Sequence, residues 1–315
     1  MVNYGGYYSD FEKSFRSSFA TTKKDLNLLS KEVQNIMFGA KLSTSSTYWN
    51  GIRKELDSLY KEMSILFEKW STLNVPLSYK NDLIDINKRI LAMRNVTERG
   101  QLTVEKLLKT TATKNITSSL VEDAITSFNT ALFSGKSSLF KLTRLTQQYV
   151  INEGVFETET LKSITEYGNL KIASRNIKAT LYNKLFEQMS NEQIVVAGSK
   201  TFSPGYYAEM VARVKFHEGQ AYAAIAQCRN YETNLVIISN HNTATPICVP
   251  YEGRIFSIDG KGPFPRLDTT PPFHPNCLHL LFPQFESALK ASKQYDAYIS
   301  FSNGKTDKLV LGGVA

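Results

Sequence analysis

In the stretch GIRKELDSLYKEMSILFEKWSTL, Ile52, Leu56, Leu59, Met63, Leu66, Trp70 and Leu73 are three or four residues apart, a spacing that gathers them on one face of a helix. A strand alternates its side chains with a period of two and would scatter the same residues over both faces. Pro76 is expected to end this helix. Asp82 can open the next, with Leu83, Ile86, Ile90 and Met93 on its apolar side and Gly100 closing it. Ser119 and Glu122 have the spacing of a capping box leading into Ile125, Phe128 and Leu132. Gly135 suits a C-terminal cap, and Ser137 or Ser138 the start of a helix carrying Leu139, Leu142, Leu145 and Tyr149. After Gly154, the residues Leu161, Ile164, Leu170, Ile177, Leu181, Leu185 and Met189 read as one extended helix with a kink near Gly168. Several helices with short links imply an antiparallel bundle, its stripes serving as core or coiled-coil contacts.

From residue 200 the period changes. Ser203 and Pro204 form a cap and first-turn pair for a helix through Tyr207, Met210, Val211 and Val214 to Cys228. NLVIIS then has the character of a buried strand, and ICVPYEGRIFSIDG reads as two short strands around a turn at Glu252 and Gly253. A Pro-rich loop, a helix near residues 285–292 and a tail complete the chain. The expected fold class is α+β: a helical region over residues 1–200 and a small α+β domain with short strands and long loops over residues 201–315.

The chain has 315 residues and is 42% apolar, enough to bury a sizeable core in one large or two ordinary domains. The opening residues carry no basic segment followed by an apolar run, and LVIIS is far shorter than the roughly 18 residues of a membrane span, so neither export nor a membrane anchor is expected. Three cysteines argue for a reducing compartment and against a disulfide framework. The net charge of +8 suggests a polyanionic neighbour. Its excess lies early: residues 1–200 hold 27 Lys and Arg against 20 Asp and Glu, whereas residues 201–315 hold 10 against 9. Lys23, Lys24, Arg53, Lys54, Lys88, Arg89 and Arg94 are the candidate phosphate contacts, which would be sequence-independent and sensitive to salt.

All four histidines and all three cysteines lie after residue 216. The loop PPFHPNCLHLLFP, residues 271–283, holds two of the histidines and one cysteine among four prolines. His241, Cys248, His274, Cys277 and His279 supply the imidazole and thiolate that zinc prefers, and four of them could close a tetrahedral structural site. In an extended loop Cys277 and His279 point to one side, as chelation requires. A metal-free cluster held by hydrogen bonds explains the same residues, because cysteine is commonly buried and histidine commonly satisfies a carbonyl. A metal-dependent nuclease built on NHN at 240–242 would want carboxylates, and only Glu252, Asp259 and Asp268 are near, at no recognisable spacing. Nucleophilic catalysis by Cys277 with His274 or His279 would need a third orienting group and an oxyanion hole, neither of which the sequence reveals. SGKSS at 134–138 lacks the first glycine of a phosphate loop, with Thr130 in its place.

Residues 204–283 resemble the characteristic region of the phage minor capsid and head-morphogenesis proteins related to the Mu F protein. The matching elements are Tyr207 and Arg213 on a helix, VIISNH ending at His241, Cys248, Tyr251 with Gly253, Phe256 with Ser257, and Pro271, Pro272, His274, Pro275, Asn276, Cys277 and His279. Val214 and Leu278 depart from the pattern, which has threonine and a basic residue there. The resemblance implies a non-enzymatic virion component in few copies, in the capsid interior or at the portal vertex. Its partners would be the portal, capsid and scaffold proteins, with contact to packaged DNA or a part in DNA ejection. It makes the stiff loop a fold-defining clasp, tied to the strand end at His241 and Cys248 by zinc or by hydrogen bonds. About 30 residues follow Pro283, too few for the catalytic C-terminal domain that some members carry. The rival expectation is a metal-dependent DNA-processing enzyme, a nuclease, using the same His and Cys residues.

Overall fold

The computed structural model describes residues 4–39, 45–93, 95–160 and 194–309. The described elements are α1 (Tyr4–Gly39), α2 (Ser46–Ala92), α3 (Val104–Leu108), α4 (Thr111–Thr160), β1 (Val195–Ala197), β2 (Lys200–Phe202), α5 (Pro204–Asn230), β3 (Leu235–Ile238), β4 (Ile255–Ser257), β5 (Leu281–Gln284), α6 (Glu286–Ala291) and α7 (Tyr295–Ser302). Helices come first and short antiparallel strands follow, so the chain is α+β as expected. The reading of one helix over residues 161–189 falls outside the described residues. Two compact units are present, each assembled from separated segments: unit 1 from Met1–Ser18, Ser71–Ala124 and Met210–Ala315, unit 2 from Phe19–Trp70 and Ile125–Glu209.

Unit 1 is centred on a three-stranded sheet of order β4-β3-β5 with both pairings antiparallel. All four residues of β3 are buried, so the central strand has a covered face on each side. One apolar cluster joins Tyr79, Leu83, Ile86 and Ile90 of α2 to Ala221, Ala224 and Cys228 of α5, and to Val236, Ile238, Phe256 and Leu281 of the sheet. Small alanines on α5 let that helix lie close to the strands. The edge strand β5 is closed by a side chain: Gln220 of α5 donates from Nε2 to the Leu281 carbonyl at 2.6 Å and accepts from the Leu281 N–H at 3.0 Å. Pro283, paired with Val236, is tolerated because an edge strand has an outer side that needs no donor.

In unit 2, Phe67 lies 4.4 Å from Phe128 and Phe19 4.8 Å from Trp70 between ring centroids. The two-stranded sheet β1-β2 is antiparallel, with Val195 opposite Phe202. Ser203 caps α5 through a 3.4 Å bond from the Tyr206 N–H to its hydroxyl, and Pro204 occupies the first helical position, as expected.

Several boundaries differ from the sequence reading. Pro76 does not end a helix, since α2 runs unbroken from Ser46 to Ala92. A proline there forfeits one backbone hydrogen bond and crowds the preceding turn, at a cost of about 3 kcal/mol. Burial along the same helix offsets it: Leu56, Tyr60, Met63, Phe67 and Trp70 before the proline, then Val75, Tyr79, Leu83, Ile86 and Ile90. Asp82 is accordingly inside α2, and Gly100 lies in the coil after it, against Asn230 and Tyr231. Ser119, Gly135, Ser137 and Ser138 are all interior to α4. Residues 246–253 form consecutive turns instead of a strand, with Cys248 and Val249 both donating to the Thr245 carbonyl. Pro246 and Pro250 remove two ladder donors there, and Gly253 takes φ +69°. The tail YISFS is helical, within α7.

Gly135 has a packing role. A Cβ at this position would meet the Ile194 carbonyl oxygen at 1.9 Å, and that oxygen also accepts a 3.3 Å hydrogen bond from the Tyr60 hydroxyl. Gly135→Ala should therefore destabilise the protein by about 1–3 kcal/mol even though alanine is the better helix former, read as a lower urea midpoint. An unchanged or raised midpoint would show that the backbone at Ile194 yields freely.

Candidate functional site

Three strand ends meet at one end of the sheet in unit 1. Beyond β3, the Ser239 N–H donates to the Leu280 carbonyl at 2.9 Å and the Leu280 N–H returns a bond to the Ser239 hydroxyl at 2.9 Å, extending the pairing with the residues before β5. On the other side, the Gly253 N–H donates to the Ile238 carbonyl and the Ile238 N–H to the Arg254 carbonyl. Antiparallel pairing thus places His241 after β3, Glu252 before β4, and Cys277 and His279 before β5 in one small volume.

Glu252 organises it. Its carboxylate accepts from the backbone N–H groups of His241, at 2.5 Å, and Thr243, at 3.1 Å to each oxygen. Its Oε1 is also 3.2 Å from His279 Nε2. The other nitrogen of that ring, Nδ1, faces Cys277 Sγ at 3.4 Å. The chain carboxylate, imidazole, thiol is therefore continuous. Cys248, Cys277 and His279 offer ligand atoms that all lie within 4.8 Å of one another, and the three residues are 0%, 1% and 2% exposed. His241 stands edge-on to His279, with ring centroids 5.1 Å apart, and its Nε2 is 2.8 Å from the Ser239 hydroxyl. His274 contributes its backbone carbonyl, which accepts the Cys277 N–H at 2.9 Å, while its imidazole is not among the grouped ligand atoms. Phe273 stacks on Tyr251 at 4.3 Å, covering the loop, and the Pro271-Pro272 bond is cis.

The electrostatics follow from this packing. Burial pushes the Cys248 thiol up to about 12, helped by the neighbouring Cys277. Burial acts in the same sense on Cys277, but the hydrogen bond with His279 and nearby backbone donors outweigh it and hold that thiol below its ordinary value. For His279, burial disfavours the charged ring, and contact with Cys277 and Glu252 overcomes it, so its pKa is raised.

Glu252, Ser239 and His217 were not among the candidate site residues of the sequence. Glu252, which the sequence offers only as a carboxylate near NHN and in the Tyr251 to Gly253 turn, orients His279 beside Cys277. Ser239 closes the strand and holds His241. His217 of α5 is buried, with Nδ1 3.4 Å from the His279 carbonyl, Phe11 packed edge-on at 4.9 Å, and Nε2 without a hydrogen-bond partner among the described residues. Nearby, Arg213 pairs with Glu12 and sits 5.1 Å over the Phe15 ring.

The candidate cations are spread over both units. Lys23, Lys24, Arg53 and Lys54 belong to unit 2, where Lys23 pairs with Glu209 at 2.5 Å, while Lys24 and Lys54 are exposed. Lys88 and Arg89 belong to unit 1, Lys88 3.5 Å from Asp85 and Arg89 5.8 Å over the Phe282 ring. Arg94 lies outside the described residues. The segment 134–138 is helical, inside α4.

Burial lowers the pKa of His217 to about 4, against a weaker opposing pull from the His279 carbonyl and Glu12. The folded state therefore binds the proton less readily than the unfolded chain, and stability falls as pH drops from about 6.5, levelling off below about 4. This group alone can remove up to about 3 kcal/mol over that window. Urea unfolding of wild type and His217→Gln at a series of pH values should give a shallower acid loss in the variant; equal slopes would refute a neutral buried His217.

No curated protein and no solved structure matches the chain. A family model does: Phage minor capsid protein 2, over residues 92–306, which takes in α3, α4 and the whole sheet with its His and Cys cluster. No described helix is long and apolar enough to cross a membrane. A match over more than half of its length makes this chain a member of the phage minor capsid protein 2 family, a protein of the bacteriophage virion.

Proposed function

We propose that the protein is a non-enzymatic assembly component of the phage head, held in few copies at the portal vertex, where it touches the portal protein and adjoining capsid or scaffold proteins. The observation that carries this reading is the burial of the cluster within a capsid-family chain. Cys248, Cys277 and His279 are 0%, 1% and 2% exposed, and a nucleophile or catalytic metal must touch its substrate. Glu252 spends its carboxylate on backbone N–H groups and on His279, which fixes loops. Such an arrangement clasps residues 271–280 to the sheet and keeps the surface of unit 1 in one shape for docking.

The net charge of +8 and the exposed Lys24, Lys54 and Lys88 support contact with packaged or ejected DNA, through phosphates and without sequence preference. The protein would be made in the host cytoplasm and retained in the capsid interior or at the portal.

Cross-linking mass spectrometry on purified virions tests this. The expected result is a protein present at far fewer copies than the major capsid protein, with cross-links to the portal. Absence from virions, or cross-links confined to the capsid faces away from the portal, would overturn it. Metal-dependent cleavage of DNA by the wild-type protein, abolished in His279→Ala, would replace it with the nuclease reading.

A further inference from the structure

We propose that Cys248, Cys277 and His279 bind one structural zinc ion, with Glu252 as the carboxylate that orients the histidine. Three thiolate and imidazole donors converge from two separate loops, all buried, and their ligand atoms lie within 4.8 Å. With zinc bond lengths of about 2.3 Å to sulfur and 2.0 Å to nitrogen, a tetrahedron has a sulfur–nitrogen edge of about 3.5 Å and a sulfur–sulfur edge of about 3.8 Å. The Cys277 Sγ to His279 Nδ1 distance of 3.4 Å already matches the first edge, and since all the ligand atoms lie within 4.8 Å of one another, at most about 1 Å of side-chain adjustment closes the others.

The decisive feature is the orientation of His279. Its Nδ1 faces the thiols while Nε2 faces Glu252 Oε1 at 3.2 Å, so one nitrogen is presented to the ion and the other donates to a carboxylate. Metal-bound histidines nearly always have such a partner, which fixes the tautomer and strengthens the ligand. Glu252 is itself pinned by the His241 and Thr243 N–H groups. His241 is bonded through Nε2 to Ser239 and forms a wall of the site. Cys248 lies in a surface turn in which Ile247 and Val249 are half exposed while its own side chain is fully buried.

The arrangement narrows the donors available in sequence: Cys248, Cys277 and His279 bind, and His241 and His274 do not. The ion would tie the turn at 245–253 to the loop at 271–280, two segments that otherwise have little regular structure. A small, loop-rich part of the fold gains stability directly from such a bond.

The test uses the full chain purified under reducing conditions, with zinc measured by elemental analysis and its release followed with a chromophoric chelator as the thiols are titrated by an organomercurial. About one zinc per chain, released in step with two buried thiols, is expected. His241→Gln should keep its zinc, and Glu252→Gln should bind it about 10–100-fold more weakly. Cys248→Ala and Cys277→Ala should each lose it. Because those two variants can fail to fold, the wild-type release measurement decides alone if they do. A folded wild type that holds no zinc after incubation with Zn²⁺, zinc release uncoupled from thiol modification, or Cys248 and Cys277 found alkylatable only after reduction would each overturn the proposal.

Discussion

The two-sided pairing of β3 is the constraint on which unit 1 depends. A four-residue strand buried on both faces has no water to satisfy its backbone, so both neighbours must supply the hydrogen bonds. Once β4 and β5 are fixed on either side in antiparallel register, the residues just outside the strands have no freedom of place. Ser239, Glu252 and His279 converge because the paired strands start and stop together.

The same accounting explains the polar residues around the sheet. Gln220 answers the outer edge of β5, the Ser302 hydroxyl accepts the Ile255 N–H at 3.0 Å, and Asp259 accepts from Ser257, Asn234 and the Lys261 N–H. Asp259 is held well below the usual carboxylate range, at about 2, chiefly by the Lys261 N–H and then by those side chains. Each of these groups stabilises a strand end or turn too short to hold itself. A sheet with strands of three and four residues is marginal alone; the α2 and α5 faces and these side chains make it a rigid support for the cluster.

The helical periodicity was legible because it arises from the same apolar burial that builds the core: Leu56, Met63 and Trp70 are all buried, as are Leu83, Ile86 and Ile90. The breakers were misleading where burial was strong. Pro76 and Gly135 read locally as ends, yet one is absorbed by a long buried face and the other is required by a carbonyl approaching from a distant segment. NLVIIS was recognisable as a strand from its unbroken apolar run, whereas ICVPYEG was not a strand, because Pro250, with Pro246 just before the segment, removes donors a ladder requires. The hairpin β1-β2 carried no signal strong enough to separate it from the helical pattern before it.

Residue types and their order settled much of the chemistry. Thiols and imidazoles confined to the last third of the chain, three of them in a proline-stiffened loop, already pointed to one cluster, and the resemblance carried by those residues agrees with the family match. Which of them meet is a property of strand pairing: Cys248 is brought to Cys277 across 29 positions, His274 turns out of the group by lending only its carbonyl, and Glu252 enters it. Sequence determines periodicity and the stock of donors, since these are local properties of each residue. Register, edge closure and ligand geometry are decided by contacts between segments far apart in the chain, and those exist only once the tertiary structure has formed.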